Sequence, residues 1–316
     1  MSRIHEALKK AEQERAAAQA NRPQPSYAPL GAPDAAIVTE SEPVTVAAEA
    51  RASGAPFSSA VPSFASPYSL DALLARCPQM QWQPEEKTML FFSGDDGARG
   101  TEEFRTLRSR LYHAREKMPL KKILVTSALP KEGKSFTSAN LAQVLVRQHG
   151  RRVLLIDADL RAPRLHLMLG TSAAPGLSEY LQGACDEFSI VQRGPMENLF
   201  FIPSGEQIAD AAELVSNGKL DIFLQRVEPL FDWIIVDSPP AVPVSDAGIL
   251  SKACDGVLMV VRSNSTPFDL ARRARGEFSE EALVGVILNG TDHDSSPYSR
   301  YYYNAYVKNV TTESRS

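Results

Sequence analysis

Cysteine is scarce in this 316-residue chain: Cys77, Cys185 and Cys254 stand far apart, with no CxxC pair. That count argues against a disulfide framework or a zinc site and fits a reducing cytoplasm. Basic excess is also lacking. Lys plus Arg number 34 against 38 Asp plus Glu, a net charge of −4. A dedicated nucleic-acid binder usually carries the opposite balance, so no nucleic-acid partner is expected. No apolar run approaches the ~18 residues of a membrane span. The opening MSRIHEALKKAEQER is charged throughout and does not read as a signal peptide. A role at a membrane would need a partner or a surface helix to bring the chain there.

What is present divides the chain into four. Residues 1–20 read as a helix, with Ile4, Ala7, Leu8 and Ala11 on one face. It is either a solvated tail or a docking helix. Residues 21–87 are expected to be a disordered linker. Up to residue 69 it is crowded with Pro, Ala and Ser, which cannot bury enough apolar surface to offset their ordering entropy. A helix is expected over 101–117. Short apolar runs come next: KILVT (122–126), VLLID (153–157), LFFIP (199–203), WIIVD (233–237), GVLMVV (256–261) and LVGVIL (283–288). Apolar strands alternating with helices predict an α/β domain over 88–297, a mostly parallel sheet with helices on both faces. Residues 298–316 read as a flexible, tyrosine-rich tail.

The first strand runs into TSALPKEGKSFTSAN, where Gly133-Lys134-Ser135 comes after a strand and opens a helix. That is the context of a P-loop. Amides at a helix N-terminus point at a phosphate, and the helix dipole favours the anion. Ala128, Pro130, Lys131, Glu132, Gly133, Lys134, Ser135 and Phe136 are the expected nucleotide contacts. Lys134 would reach the β- and γ-phosphates, and Ser135 would offer its hydroxyl to Mg²⁺. The first motif position is Ala128, so the GxxxxGK[ST] pattern is relaxed. Asp157 ends the second strand, with Asp159 two residues on, and Asp237 ends WIIVD. Strand C-termini in a parallel sheet meet at the ligand crevice, so these acids should gather near the phosphates. Ser135, Asp157 and Asp237 are the candidate Mg²⁺ ligands, since this hard ion takes oxygen donors. The alternative for each acid is a helix cap after a strand. Arg262 and Asn289, just past later strands, could touch adenine or simply cap loops.

Residues 88–306 resemble the bacterial tyrosine kinases linked to capsule and exopolysaccharide production. Four features carry the resemblance: the relaxed P-loop; DADLR (Asp157 to Arg161), like the family's Walker A′; VDSPP (Asp237 to Pro240), like its Walker B; and Glu102-x-x-Arg105-x-x-Arg108, like its oligomerisation motif. By spacing alone, the last three residues are a charged helical face. The core also resembles the deviant-Walker ATPases that partition DNA, but their signature lysine is Leu129 here. The resemblance implies a P-loop protein-tyrosine autokinase that uses ATP and Mg²⁺. Lys134, Asp157 and Asp159 would be its catalytic residues, with Asp157 orienting or deprotonating the incoming hydroxyl. It implies a homo-oligomer in which Tyr298, Tyr301, Tyr302, Tyr303 and Tyr306 accept phosphate on a neighbouring subunit. It also implies a cytoplasmic protein recruited to the membrane by a separate transmembrane activator of the polysaccharide co-polymerase kind. The rival readings are an ATPase switch and a nucleotide-binding scaffold.

Overall fold

A computed structural model describes residues 69–92 and 100–291. The helix expected over residues 1–20, the proline-rich stretch to residue 68 and the five tail tyrosines lie outside the described residues.

The chain enters through α1 (Leu70–Arg76), capped by Ser69, whose hydroxyl accepts from the Ala72 amide at 3.2 Å. Leu73 is fully buried on this helix. Trp82 then packs edge-on against Phe201, with ring centroids 6.2 Å apart, and Met89 and Phe91 are buried. The linker expected over 21–87 is therefore corrected: residues 69–87 belong to the folded domain. The reason is physical. The Pro/Ala/Ser composition stops at Pro67, and the segment after it supplies leucines at helical spacing and a large aromatic.

The remaining elements come in the order α2 (Thr101–Arg115), β1 (Lys122–Ser127), α3 (Lys134–Val146), β2 (Val153–Asp157), α4 (Leu165–Leu169), α5 (Leu177–Gln182), β3 (Gln192–Arg193), β4 (Leu199–Ile202), α6 (Ala211–Val215), α7 (Lys219–Val227), β5 (Trp233–Asp237), α8 (Asp246–Ser251), β6 (Gly256–Arg262), α9 (Phe268–Arg275) and β7 (Leu283–Asn289). The strands form one sheet in the order β3-β4-β2-β5-β1-β6-β7. All pairings are parallel except β3 with β4. Each of the six apolar runs forms a strand: β1, β2 and β4 to β6 are largely buried, as parallel strands covered on both faces must be apolar at every position, whereas edge strand β7 leaves Val286 and Leu288 more than half exposed. Two-residue β3 has no counterpart among the sequence expectations, being too short to leave a pattern.

Two cores, one on each face of the sheet, hold the layers together. Helix α3 lies deep in one of them and is buried nearly all round. Its neighbour α2 buries Phe104 and Leu111. A helix that is apolar or small on every side is held by packing rather than by amphipathic contrast. The residue that opens α3, Lys134, is therefore fixed in place by the core.

Candidate functional site

Strand order brings the candidate residues together. β1, which leads into the P-loop, pairs with β5; β5 pairs with β2, and Asp157 stands opposite Asp237 in the register. The C-terminal ends of three adjacent strands thus present a loop and two carboxylates to one crevice, as parallel α/β sheets do. Asp157 and Asp237 are fully buried, Asp159 nearly so.

Lys134 sits among them. Its ammonium lies 2.7 Å from Asp159 Oδ2 and 3.9 Å from Asp237 Oδ2. Ser135 donates to Asp237 Oδ2 at 2.6 Å, and Ser138 donates to Asp237 Oδ1 at 2.9 Å. Asp157 Oδ1 accepts from the Asp159 amide at 3.2 Å. Its Oδ2 accepts from the amides of Arg164 and Leu165 at 3.2 and 3.0 Å. Asp157 therefore also does what a cap does for α4. Asp159 Oδ1 accepts from the Ala162 amide at 3.0 Å.

Three carboxylates against one ammonium set the electrostatics. Burial raises the Asp157 carboxyl, Asp237 raises it further, and it stands at about 8. Burial raises Asp237 too, against the pull of Lys134. Burial by itself would lower the Lys134 ammonium, but Asp237 and Asp159 outweigh that and hold it above its ordinary value. Carboxylates crowded in a dry pocket resist joint ionisation.

The P-loop is held from the far side. Lys131 and Gly133 have positive φ, 66° and 99°. Glu132 is buried; its Oε2 accepts from the Leu129 amide at 2.9 Å, and its Oε1 accepts from the Thr266 hydroxyl. Asn289 donates to the Glu132 carbonyl at 2.9 Å, and Arg262 donates to the Lys131 carbonyl at 3.1 Å. A methyl on Gly133 would fall 2.0 Å from Asn289 Nδ2. The ends of β6 and β7 therefore clamp the loop, and of the two readings for Arg262 and Asn289 these contacts are the loop-binding one. Ala128 is buried under the loop, and Pro130 and Lys131 face solvent. Phe136 turns away, its ring 5.9 Å from that of Phe104. A nucleotide would meet its backbone.

The charged triplet on α2 is partly engaged within the chain. Arg105 pairs with Glu102, and Arg108 donates to the Val144 carbonyl near the end of α3 at 3.0 Å. Three further residues support the site without having been candidates. Ser138 lies three positions after Ser135, a helical spacing that could have pointed to it. Asp246, on α8, takes a two-point hydrogen bond from Arg161 at 2.8 and 3.1 Å. Thr266 braces Glu132. The latter two lie over a hundred positions from the P-loop, where no local pattern connects them.

Comparison with known proteins agrees with this geometry. A family described as an AAA domain matches residues 121–269. The tyrosine-protein kinase YwqD of Bacillus subtilis is 35% identical over 205 residues, 64% of this chain and 85% of that protein. The tyrosine-protein kinase wzc of Salmonella typhimurium is 29% identical over 223 residues, 70% of this chain but 31% of that longer protein. Among solved structures, the kinase domain of the Escherichia coli tyrosine kinase ETK superposes with a TM-score of 0.56 at 30% identity. The match covers 60% of this chain and 75% of that one.

Proposed function

The chain belongs to the bacterial tyrosine-protein kinases, and on that premise we propose that it is a Mg-ATP-dependent autokinase acting on its own tyrosine cluster. The observation that supports this best is the convergence of Lys134, Asp159 and Asp237 within 3.9 Å beside a P-loop, with Asp157 on the next strand end.

Phosphoryl transfer needs charge neutralisation and in-line positioning. The loop amides and Lys134 would hold the phosphates, Lys134 exchanging its present carboxylate partners for phosphate oxygens. Ser135 and Asp237, 2.6 Å apart, are an oxygen-only pair of the kind a hard divalent cation accepts, and Asp157 adjoins them. Mg²⁺ held there would supply charge neutralisation on the transferring group. Asp157 would take the tyrosine proton. The phenol, of pKa ~10, needs such an acceptor beside it, and the charges of Lys134 and of Mg²⁺ would favour the ionised, proton-accepting form of this carboxyl. Asp159 would hold Lys134 or the acceptor in place.

The acceptors we propose are Tyr298, Tyr301, Tyr302, Tyr303 and Tyr306 of a neighbouring copy, brought near through Glu102, Arg105 and Arg108. Each phosphate would add about −1.5 to −2 charges to the tail and weaken the assembly by repulsion. The resemblance carries the wider setting: control of exopolysaccharide or capsule production beside a membrane-embedded activator.

The test is to incubate the full chain with Mg-ATP and map phosphate by mass spectrometry. Expected is phosphotyrosine in the tail, lost when the five tyrosines become Phe, and lost in Lys134→Ala and Asp157→Asn. Phosphate released to water with no phosphotyrosine would instead establish an ATPase switch.

A further inference from the structure

In-line transfer fixes the side from which an acceptor enters. The P-loop comes directly after β1, and the ends of β6 and β7 close over it through Arg262 and Asn289. The leaving nucleotide must remain on that side, so the acceptor approaches from the opposite one, over β2 and β4. A cavity of about 380 Å³ opens there. Its wall is the end of the β2–α4 connection and the first turn of α4, and Gly205 and Gln207, just past β4, line it as well.

The wall is one peptide layer thick. The amides of Ala162 and Arg164 point inward, to Asp159 and Asp157, at 3.0 and 3.2 Å. The side chains of Pro163, Arg164, His166 and Leu167 line the cavity on the other side. Leu167 is 58% exposed, unusual for a leucine in a short helix of the core domain. Arg164 is exposed. The His166 ring is pushed toward its neutral form by burial and then by Arg164. A cation, a neutral ring and apolar walls of Pro and Leu suit an aromatic side chain: Arg stacks on ring faces, and Leu and Pro cover ring edges. The volume falls in the range of small-ligand pockets and admits a side chain, not a folded element. A larger cleft of about 530 Å³, bounded by Lys121 and Asp255 where β1 and β6 begin, lies at the opposite end of the strands.

We infer that this cavity is a subsite for the acceptor polypeptide, holding a tyrosine adjacent to the one that receives phosphate, in the tail of a second copy. The inference rests on the autokinase reading above. It accounts for a cluster in which Tyr301, Tyr302 and Tyr303 are consecutive: one ring is held at the wall while its neighbour reaches Asp157. Arg164 also supplies a charge-assisted partner for a ring already phosphorylated.

The test separates enzyme from acceptor. The enzyme is the full chain with the five tail tyrosines changed to Phe; the acceptor is the full chain carrying Lys134→Ala, with its tyrosines intact. Transfer is measured against acceptor concentration and, separately, against ATP. Arg164→Gln and Leu167→Asp in the enzyme should each raise the acceptor KM by about tenfold. The KM for ATP should stay within about twofold, and Leu167→Met should restore the acceptor KM. An unchanged acceptor KM in both variants, with wild-type enzyme transferring normally, overturns the subsite and leaves the kinase reading intact. So does an equal rise in the KM for ATP, which would mark a structural effect on the whole crevice. No transfer by the wild-type enzyme overturns the kinase reading and the subsite with it.

Discussion

Gly133→Ala tests whether the clamp on the P-loop sets nucleotide affinity. Gly133 has φ of 99°, and an added methyl would lie 2.0 Å from Asn289 Nδ2. An alanine held at such a φ costs about 1–2 kcal/mol. Moving Asn289 aside forfeits its hydrogen bond to the Glu132 carbonyl, about 0.5–1.5 kcal/mol more. The sum is roughly 2–3 kcal/mol. The free loop can escape this by relaxing, but the amides face a phosphate only in the original conformation. The cost should therefore appear in binding, as a loss of about 30- to 150-fold in affinity for ADP.

Two companions sharpen the test by calorimetric titration. Gly150→Ala places a methyl at φ of 73° with nothing within 4 Å, outside the loop. It should cost about 1 kcal/mol of stability and leave ADP affinity alone. Asn289→Ala combined with Gly133→Ala removes the collision, so the pair should bind better than the sum of the single losses allows. Gly133→Ala binding within about threefold of wild type, or full additivity in the double variant, would refute the reasoning.

Two other substitutions probe the frame around the site. Trp233 is fully buried, and its indole N–H donates to Tyr112 Oη at 3.1 Å. Tyr112→Phe should lower unfolding free energy by about 1–2 kcal/mol in a denaturant titration while leaving ADP affinity unchanged; no loss of stability would contradict the contact. Arg108→Ala removes a charge-assisted bond near the end of α3 and should cost about 1–2 kcal/mol by the same assay. Arg105→Ala, whose partner Glu102 is largely exposed, should cost under about 1 kcal/mol. Equal stability losses would show that Arg108 has no special internal role. Loss of assembly in sedimentation by Arg105→Ala alone would assign the motif to a subunit contact.

The sequence showed the strands because parallel, doubly covered strands must be continuous apolar runs; five such runs form β1, β2 and β4 to β6, and a sixth apolar run forms the partly exposed edge strand β7. It also showed Lys134, Ser135, Asp157 and Asp237, since each ends a strand or opens a helix at the crevice. What it hid depends on distance along the chain. Thr266 and Asn289 reach Glu132 from more than 130 positions away, and Asp246 reaches Arg161 from 85. A two-residue strand and a seven-residue helix after a proline-rich stretch are too brief to show a period. For Asp157 the cap reading and a place in the crevice do not exclude each other. Asp157 caps α4 through Oδ2, accepts from the Asp159 amide through Oδ1, and still belongs to the buried charge cluster. Sequence spacing cannot show that one carboxylate both caps a helix and faces a cluster of other charges.

That cluster predicts an unusual pH dependence for the stability of the free chain. The Asp157 carboxyl stands at about 8 when folded against 3.8 as its ordinary value, and Asp237 is raised as well. Between those limits the folded chain holds a proton that the unfolded chain releases. Bound protons are then more numerous in the native state, and stability falls as pH rises. Other displaced groups do not reverse this. Asp186, Glu179 and Asp232 are lowered and act near or below the ordinary carboxylate range. Lys134 is raised, so its contribution is lost only above the ordinary lysine value. His166 is lowered and opposes the trend over a narrow span below 6.5. One excess proton corresponds to about 1.4 kcal/mol per pH unit, so unfolding free energy should drop by roughly 2–3 kcal/mol between about pH 5 and pH 7. Most globular proteins show a broad maximum across that interval instead. Asp157→Asn, which keeps the shape without the titration, should flatten most of the slope. A wild-type stability that rises or stays level across the interval would mean that Asp157 is ionised in the free chain. The account of these buried carboxylates as too crowded to ionise together would then fall.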